Sequence, residues 1–311
     1  MTDSGMPIAS APCSFGVDEV IVDDIWMPGP DEMLDWMLGI GYLGTELGPP
    51  DYLGGGTGAA ARERLERRGL QLVGAFLPQH FSREDRAGAD RDWLRGQLVD
   101  LRQATPTGSD PFAVLCEAID EPDRLRWSGR TEQHPEAQLD DCRFATMMDN
   151  MHRAGELARS MGFRAVIHPH AGTYLETDAE IERMVGALDP SLVGLCLDTG
   201  HFRYGGADPA RRVRDYRSVL QHVHIKDCHT QVLDDVKAEG KDLYEALVRG
   251  VFTELGNGDS GIQAVIDALR EVGYQGWLVV EQDQFLKETV TREVLVSAQR
   301  RNFEYLRALG L

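Results

Sequence analysis

The feature that most constrains this chain is a regular alternation of short apolar runs with amphipathic helical stretches, repeated roughly eight times. Leu70 to Leu77, Pro111 to Cys116, Arg164 to Ile167, Val193 to Asp198, His222 to Asp227 and Trp277 to Val280 read as strands buried on both faces, the kind found in parallel sheets. Between them, Asp31 to Ile40, Ala59 to Gly69, Asp90 to Gln103 and Phe144 to Met161 repeat apolar residues at helical spacing. Eight such units over ~250 to 300 residues predict an α/β fold, a single closed (β/α)8 TIM barrel. The doubly wound open sheet is the alternative, but no GxGxxG turn follows the first strand. No linker-like shift in composition divides the chain. Residues 1–311 therefore read as one domain, with 1–11 as a flexible tail and order beginning at Cys13 to Val17.

Charge narrows the partners. The net charge of −19 repels phosphate backbones and anionic membrane surfaces, so neither nucleic acid nor membrane is an expected partner. Cys13, Cys116, Cys142, Cys196 and Cys228 form no CxxC pair, which suits free thiols in a reducing compartment. With no basic n-region and no run of about 18 apolar residues, the expected location is the cytoplasm. A homo-oligomer remains open from sequence.

Several strand-like runs end abruptly in ionisable groups. Glu46, His80, Glu117, His168, His170, Asp198, His201, His224, Lys226, Asp227, Glu281 and Asp283 would all stand at the C-terminal mouth of such a barrel, where active sites of this fold lie. Rim salt bridges account poorly for a set so rich in acid and imidazole. A bound divalent cation accounts for it better, because it offsets the mutual repulsion of the carboxylates. Arg126 to Asp141 and Cys228 to Gly261 are long polar excursions from strand ends. The second is expected to carry one short helix around Asp242 to Val248 and to act as a lid.

Leu197-Asp198-Thr199-Gly200-His201, His222-Val223-His224-Ile225-Lys226-Asp227, Gly256-Asn257-Gly258-Asp259 and Gly273-Tyr274-Gln275-Gly276-Trp277 through Val280-Glu281-Gln282-Asp283 resemble the xylose-isomerase-like TIM-barrel superfamily. Gly44-Thr45-Glu46-Leu47-Gly48 and His168-Pro169-His170-Ala171-Gly172-Thr173 draw the resemblance toward the inosose dehydratases. The resemblance implies a divalent metal, manganese or cobalt ahead of magnesium or zinc, with Asp198, His224 and Glu281 at ligand positions. Where the family usually has a glutamate, this chain has His168. The fourth ligand is then His168, or else Glu46, Glu117 or His170. The implied reaction is dehydration of 2-keto-myo-inositol in inositol catabolism, through an enediolate. His201 and His170 are the candidate proton carriers, Glu46 is a carboxylate alternative, and Lys226 would steady a substrate oxygen. A ketose epimerase or aldose-ketose isomerase acting on a sugar is the alternative enzyme, and a non-catalytic sugar-binding barrel the alternative outside enzymes.

Overall fold

The computed structural model of the chain describes residues 5–17, 26–283 and 290–311. Its strands are β1 (Ile8–Ser10), β2 (Gly44–Glu46), β3 (Gln71–Gln79), β4 (Phe112–Glu117), β5 (Ala165–Ile167), β6 (Val193–Asp198), β7 (Leu220–Ile225), β8 (Asp227–Cys228), β9 (Phe252–Thr253) and β10 (Leu278–Val280). Eight of them pair in parallel and close as β1-β10-β7-β6-β5-β4-β3-β2, while β8 and β9 form a separate antiparallel ladder. Helices α1 (Pro30–Ile40), α2 (Gly58–Glu66), α3 (Ala87–Ala104), α4 (Pro122–Trp127), α5 (Asp141–Ser160) and α6 (Asp178–Ala187) are followed by α7 (Thr199–Tyr204), α8 (Pro209–Asp215), α9 (Thr230–Ala238), α10 (Leu243–Val248), α11 (Ile262–Glu271) and α12 (Arg292–Ala308). This is the expected (β/α)8 barrel. Among the described residues no helix is long and apolar enough to cross a membrane.

Period-two alternation sorts each strand between two cores. Leu115, Ile167, Leu195, Leu197, Val223, Ile225 and Val280 pack outward against helical residues such as Leu94, Leu98, Met147 and Met151. Phe112, Val114, Val166 and Cys196 pack with one another in a smaller cluster of the opposite row. The Met-rich stripe of α5 is thus core, as its spacing suggests.

Three expectations need correction. Residues 1–11 are not all flexible tail as expected: Ile8–Ser10 is a buried barrel strand paired to both β2 and β10. Its small residues Ala9 and Ser10 hide it from a hydrophobicity pattern, and Ser10 is satisfied by donating its hydroxyl to Val280 O at 3.0 Å. Residues 1–4 lie outside the described residues. Order was expected to begin with Cys13 to Val17, but Pro12–Phe15 is a 3-10 turn at the strand's end. The 228–261 excursion holds two helices, α9 and α10, and not one. Leu233, Val236, Leu243 and Ala246 bury themselves with Ala171, Tyr204, Val251 and Phe252 in a small core of their own.

Glu117 continues the outward row of β4 and faces the β3–α3 loop, where it accepts from Ser82 Oγ at 2.5 Å and Ser82 N at 3.2 Å. Burial is the main cause that pushes its carboxyl up from 4.5 to about 7. The folded state then holds a proton that the unfolded chain releases between those values. Stability from this group is full below about pH 4.5 and is lost as pH rises through 7, a loss on the order of 3 kcal/mol. Glu117→Gln is therefore expected to raise Tm at pH 8 and leave it nearly unchanged at pH 5. Equal shifts at both pH values in thermal melts would refute the raised carboxyl.

Candidate metal centre

Register brings four side chains to one point. Asp198 pairs with His224 across β6 and β7, Val280 pairs with Ile225 so that Glu281 follows beside them, and His168 follows the Ile167–Leu195 pair. His168 Nε2 lies 3.5 Å from Asp198 Oδ2, and His224 Nδ1 lies 3.9 Å from the same oxygen and 3.3 Å from Glu281 Oε2. One donor atom from each of the four falls within 4.8 Å of every other. All four residues are buried.

The loop after β6 explains how Asp198 presents one oxygen. Its Oδ1 caps α7, accepting from Gly200 N at 2.7 Å and His201 N at 2.9 Å, which leaves Oδ2 for the cluster. That Oδ2 and His224 Nδ1 are buried without a hydrogen-bond partner. Buried polar atoms of this kind are expensive unless something satisfies them. Two imidazoles and two carboxylates are also the donor set that intermediate divalent cations accept. The residues therefore fit a divalent metal.

Charge tells the same story. Against the cost of burial, Cys196, Glu281 and Glu46 raise the His224 imidazole well above its ordinary range, and Asp198, Asp283 and Glu281 do the same for the Lys226 amine. Carboxylates packed this closely recruit positive charge from whatever is at hand. Burial would raise the Asp198 carboxyl, but Lys226 and His201 hold it far below the usual range.

The rim carries the groups suited to proton transfer. Lys226 Nζ is 3.0 Å from Glu281 Oε2, 3.1 Å from Asp283 Oδ1, 3.3 Å from Asp198 Oδ2 and 3.0 Å from His201 Nε2. Its stem lies against Gly200, where an added Cβ would sit 2.6 Å from Lys226 Cγ, so the glycine makes room for it. His201 Nδ1 meets the Ala171 N–H at 3.2 Å. A neutral imidazole has one acceptor nitrogen, so the ring and the Lys226 amine compete for a proton along their 3.0 Å contact. The His170 ring lies 3.7 Å from the His201 ring, tilted by 37°, and donates Nδ1–H to Ala171 O at 2.7 Å, leaving Nε2 as an acceptor. Burial, then the neighbouring His168 and Lys226, push its imidazole down to about 3.

Two candidates from sequence stand elsewhere. Glu46 lies beneath the cluster, where its Oε1 meets His222 Nε2 at 2.9 Å and His224 Nε2 at 3.0 Å, so it is not an open carboxylate facing substrate. Asp227 turns away and accepts from Cys228 N, Ser260 N, Gly256 N and Gly258 N, which roots the 228–261 excursion. Sequence reasoning missed His222, although its i−2 spacing from His224 puts both on one strand face. It also missed Phe252, whose ring is 4.8 Å from the His201 ring and 4.9 Å from Lys226 Nζ.

A closed barrel with a mixed imidazole and carboxylate cluster at its mouth defines a class, and residues 34–300 match the family model described as xylose isomerase-like TIM barrel. The chain belongs to that family. Among its relatives is the inosose dehydratase of Geobacillus kaustophilus, 33% identical over 265 residues, covering 82% of this chain and 80% of that one. The inosose dehydratase of Clostridium tetani is 37% identical over 249 residues, 78% of each chain. Solved structures share the fold: the IOLI protein with a bound zinc atom superposes with a TM-score of 0.69 at 14% identity, covering 98% of this chain and 99% of that one. The 3-keto-D-glucoside 4-epimerase from E. coli gives 0.68 at 18% identity, covering 97% and 99%.

Proposed function

We propose that this protein is a metal-dependent hydro-lyase that removes water from a keto-cyclitol, 2-keto-myo-inositol, and acts in inositol breakdown. The observation that carries this reading is similarity to two inosose dehydratases over about four fifths of each chain. His168, Asp198, His224 and Glu281 would hold the metal. When bound, a divalent cation there supplies Lewis-acid polarisation of a carbonyl oxygen, which lowers the cost of ionising the adjacent carbon.

The chain's own residues supply the rest. The His201–Lys226 pair takes the proton from the carbon next to the carbonyl, and the electrons of that C–H bond form a carbon–carbon double bond. The C–O bond to the hydroxyl on the following carbon then breaks, and the proton held by the pair leaves with it as water. The transfers balance, because the proton removed equals the proton delivered. His170 Nε2 accepts from a substrate hydroxyl and fixes the ring's orientation. The product enol becomes a diketone.

Incubation with Mn2+ and 2-keto-myo-inositol is expected to generate the ultraviolet absorbance of an enolised diketone. A ketose epimerase would return the proton to the opposite face and expel nothing. Epimerised ketose without that absorbance would replace this reading with the alternative. The excursion through Phe252 is expected to shield the reacting centre. Phe252→Ala should lower kcat/KM by up to ~10²-fold with the far-ultraviolet circular dichroism unchanged; unaltered kinetics would reduce the segment to a surface feature.

A further inference from the structure

We infer that Glu46 is a positioning residue, which fixes His224 in the tautomer that presents Nδ1 to the metal centre, and that Gly74 exists to leave it room. The inference rests on the metal reading above. An ionised carboxylate only accepts, so the 2.9 and 3.0 Å contacts make His222 Nε2 and His224 Nε2 both donors to Glu46 Oε1. With its proton on Nε2, neutral His224 has its lone pair on Nδ1. That is the nitrogen facing Asp198 and Glu281, and it is buried without a hydrogen-bond partner.

Glu46 reaches this place across the barrel interior. β2 and β7 are not neighbours, since β1 and β10 stand between them in the sheet. The carboxylate occupies the space above Gly74, where a Cβ would sit 2.7 Å from Glu46 Oε1 and 3.0 Å from Val114 Cγ2. Two substitutions therefore probe one hydrogen bond from opposite sides. Glu46→Gln keeps the shape and a carbonyl acceptor but removes the negative charge that both imidazole donors share. Gly74→Ala keeps every polar group and displaces the carboxylate.

The test is the dissociation constant of Mn2+ and of Zn2+, measured by competition with a chromophoric chelator on the purified full chain. Alongside it, the 15N shifts of the His224 ring are read in metal-free protein at a pH where the ring is neutral. Loss of a carboxylate partner behind a ligating histidine typically weakens metal binding 10- to 100-fold. That range is expected for Glu46→Gln, with Gly74→Ala weaker in the same direction, and the Nε2–H signature of His224 should disappear in Glu46→Gln. Wild-type affinity and an unchanged tautomer in Glu46→Gln, with only Tm lowered, would overturn the inference and leave Glu46 a structural residue. If Gly74→Ala fails to fold, Glu46→Gln decides alone. If the wild-type chain takes up neither metal, the proposed function fails, while the ring shifts still decide which nitrogen of His224 carries the proton.

Discussion

Asp198→Asn and Glu281→Gln are each expected to strip the divalent metal from the protein and abolish turnover together. Each removes one of the two carboxylates that supply charge to the cluster, and Asp198 also presents a buried oxygen with no other hydrogen-bond partner. An amide in either place is a neutral ligand, and it leaves a single carboxylate to balance a divalent cation. Elemental analysis and kinetics on the same preparations check this. Full occupancy with normal turnover in either variant would sink the site. His168→Ala addresses the departure from the family pattern: loss of metal makes the imidazole a ligand, whereas retained metal puts the fourth ligand elsewhere.

His201→Gln is expected to keep its metal and lose ~10² to 10⁴ in rate, the usual contribution of general acid–base catalysis, together with one limb of the pH–rate profile. The separation is possible because His201 lies on α7, held by the Asp198 cap, with its ring turned toward Lys226 and His170 and not into the four-residue cluster. Burial, then His170 and Lys226, keep its imidazole well below the ordinary value, which leaves a neutral ring beside the Lys226 amine. Metal lost along with the imidazole would make it a ligand. Rate and metal both retained would return it to structure and move the proton to Lys226 alone.

Much of this architecture is legible in sequence, and the reason is geometric. A parallel strand buried on both faces must be apolar until it stops, so Asp198 and Glu281 announce the mouth of the barrel by interrupting Val193 to Leu197 and Leu278 to Val280. Asp198, His224 and Glu281 are reached as ligands through resemblance to a family, and the fourth place stays open in sequence between His168, Glu46, Glu117 and His170. Contacts across the interior are not legible, because they join strands with no neighbour relation: Glu46 and His222 are 176 positions apart and meet only once the ring has closed. β1 was hidden for a different reason. Three residues, two of them the small Ala9 and Ser10, carry too little hydrophobic signal to register as a strand, and they suffice only because flanking strands complete their backbone pairing. The first helix of the 228–261 excursion, α9, escaped notice because its apolar residues Leu233 and Val236 serve a local cluster instead of the barrel core.

The seam between β1 and β10 has a consequence for how the molecule comes into being. Ser10 donates to Val280 across 270 positions of sequence, and Ala11 and Ser14 reach the same carbonyl. A ribosome delivering this chain N-terminus first must emit nearly all of it before the opening strand meets its partner. Until then Ile8–Ser10 has only β2 on one side, and its other edge stays bare. Contacts this distant in sequence form slowly and leave interim species prone to pairing with other chains. Nascent chains halted short of Leu278 should thus be protease-sensitive at their leading end, and the yield of soluble protein should depend on how quickly synthesis finishes.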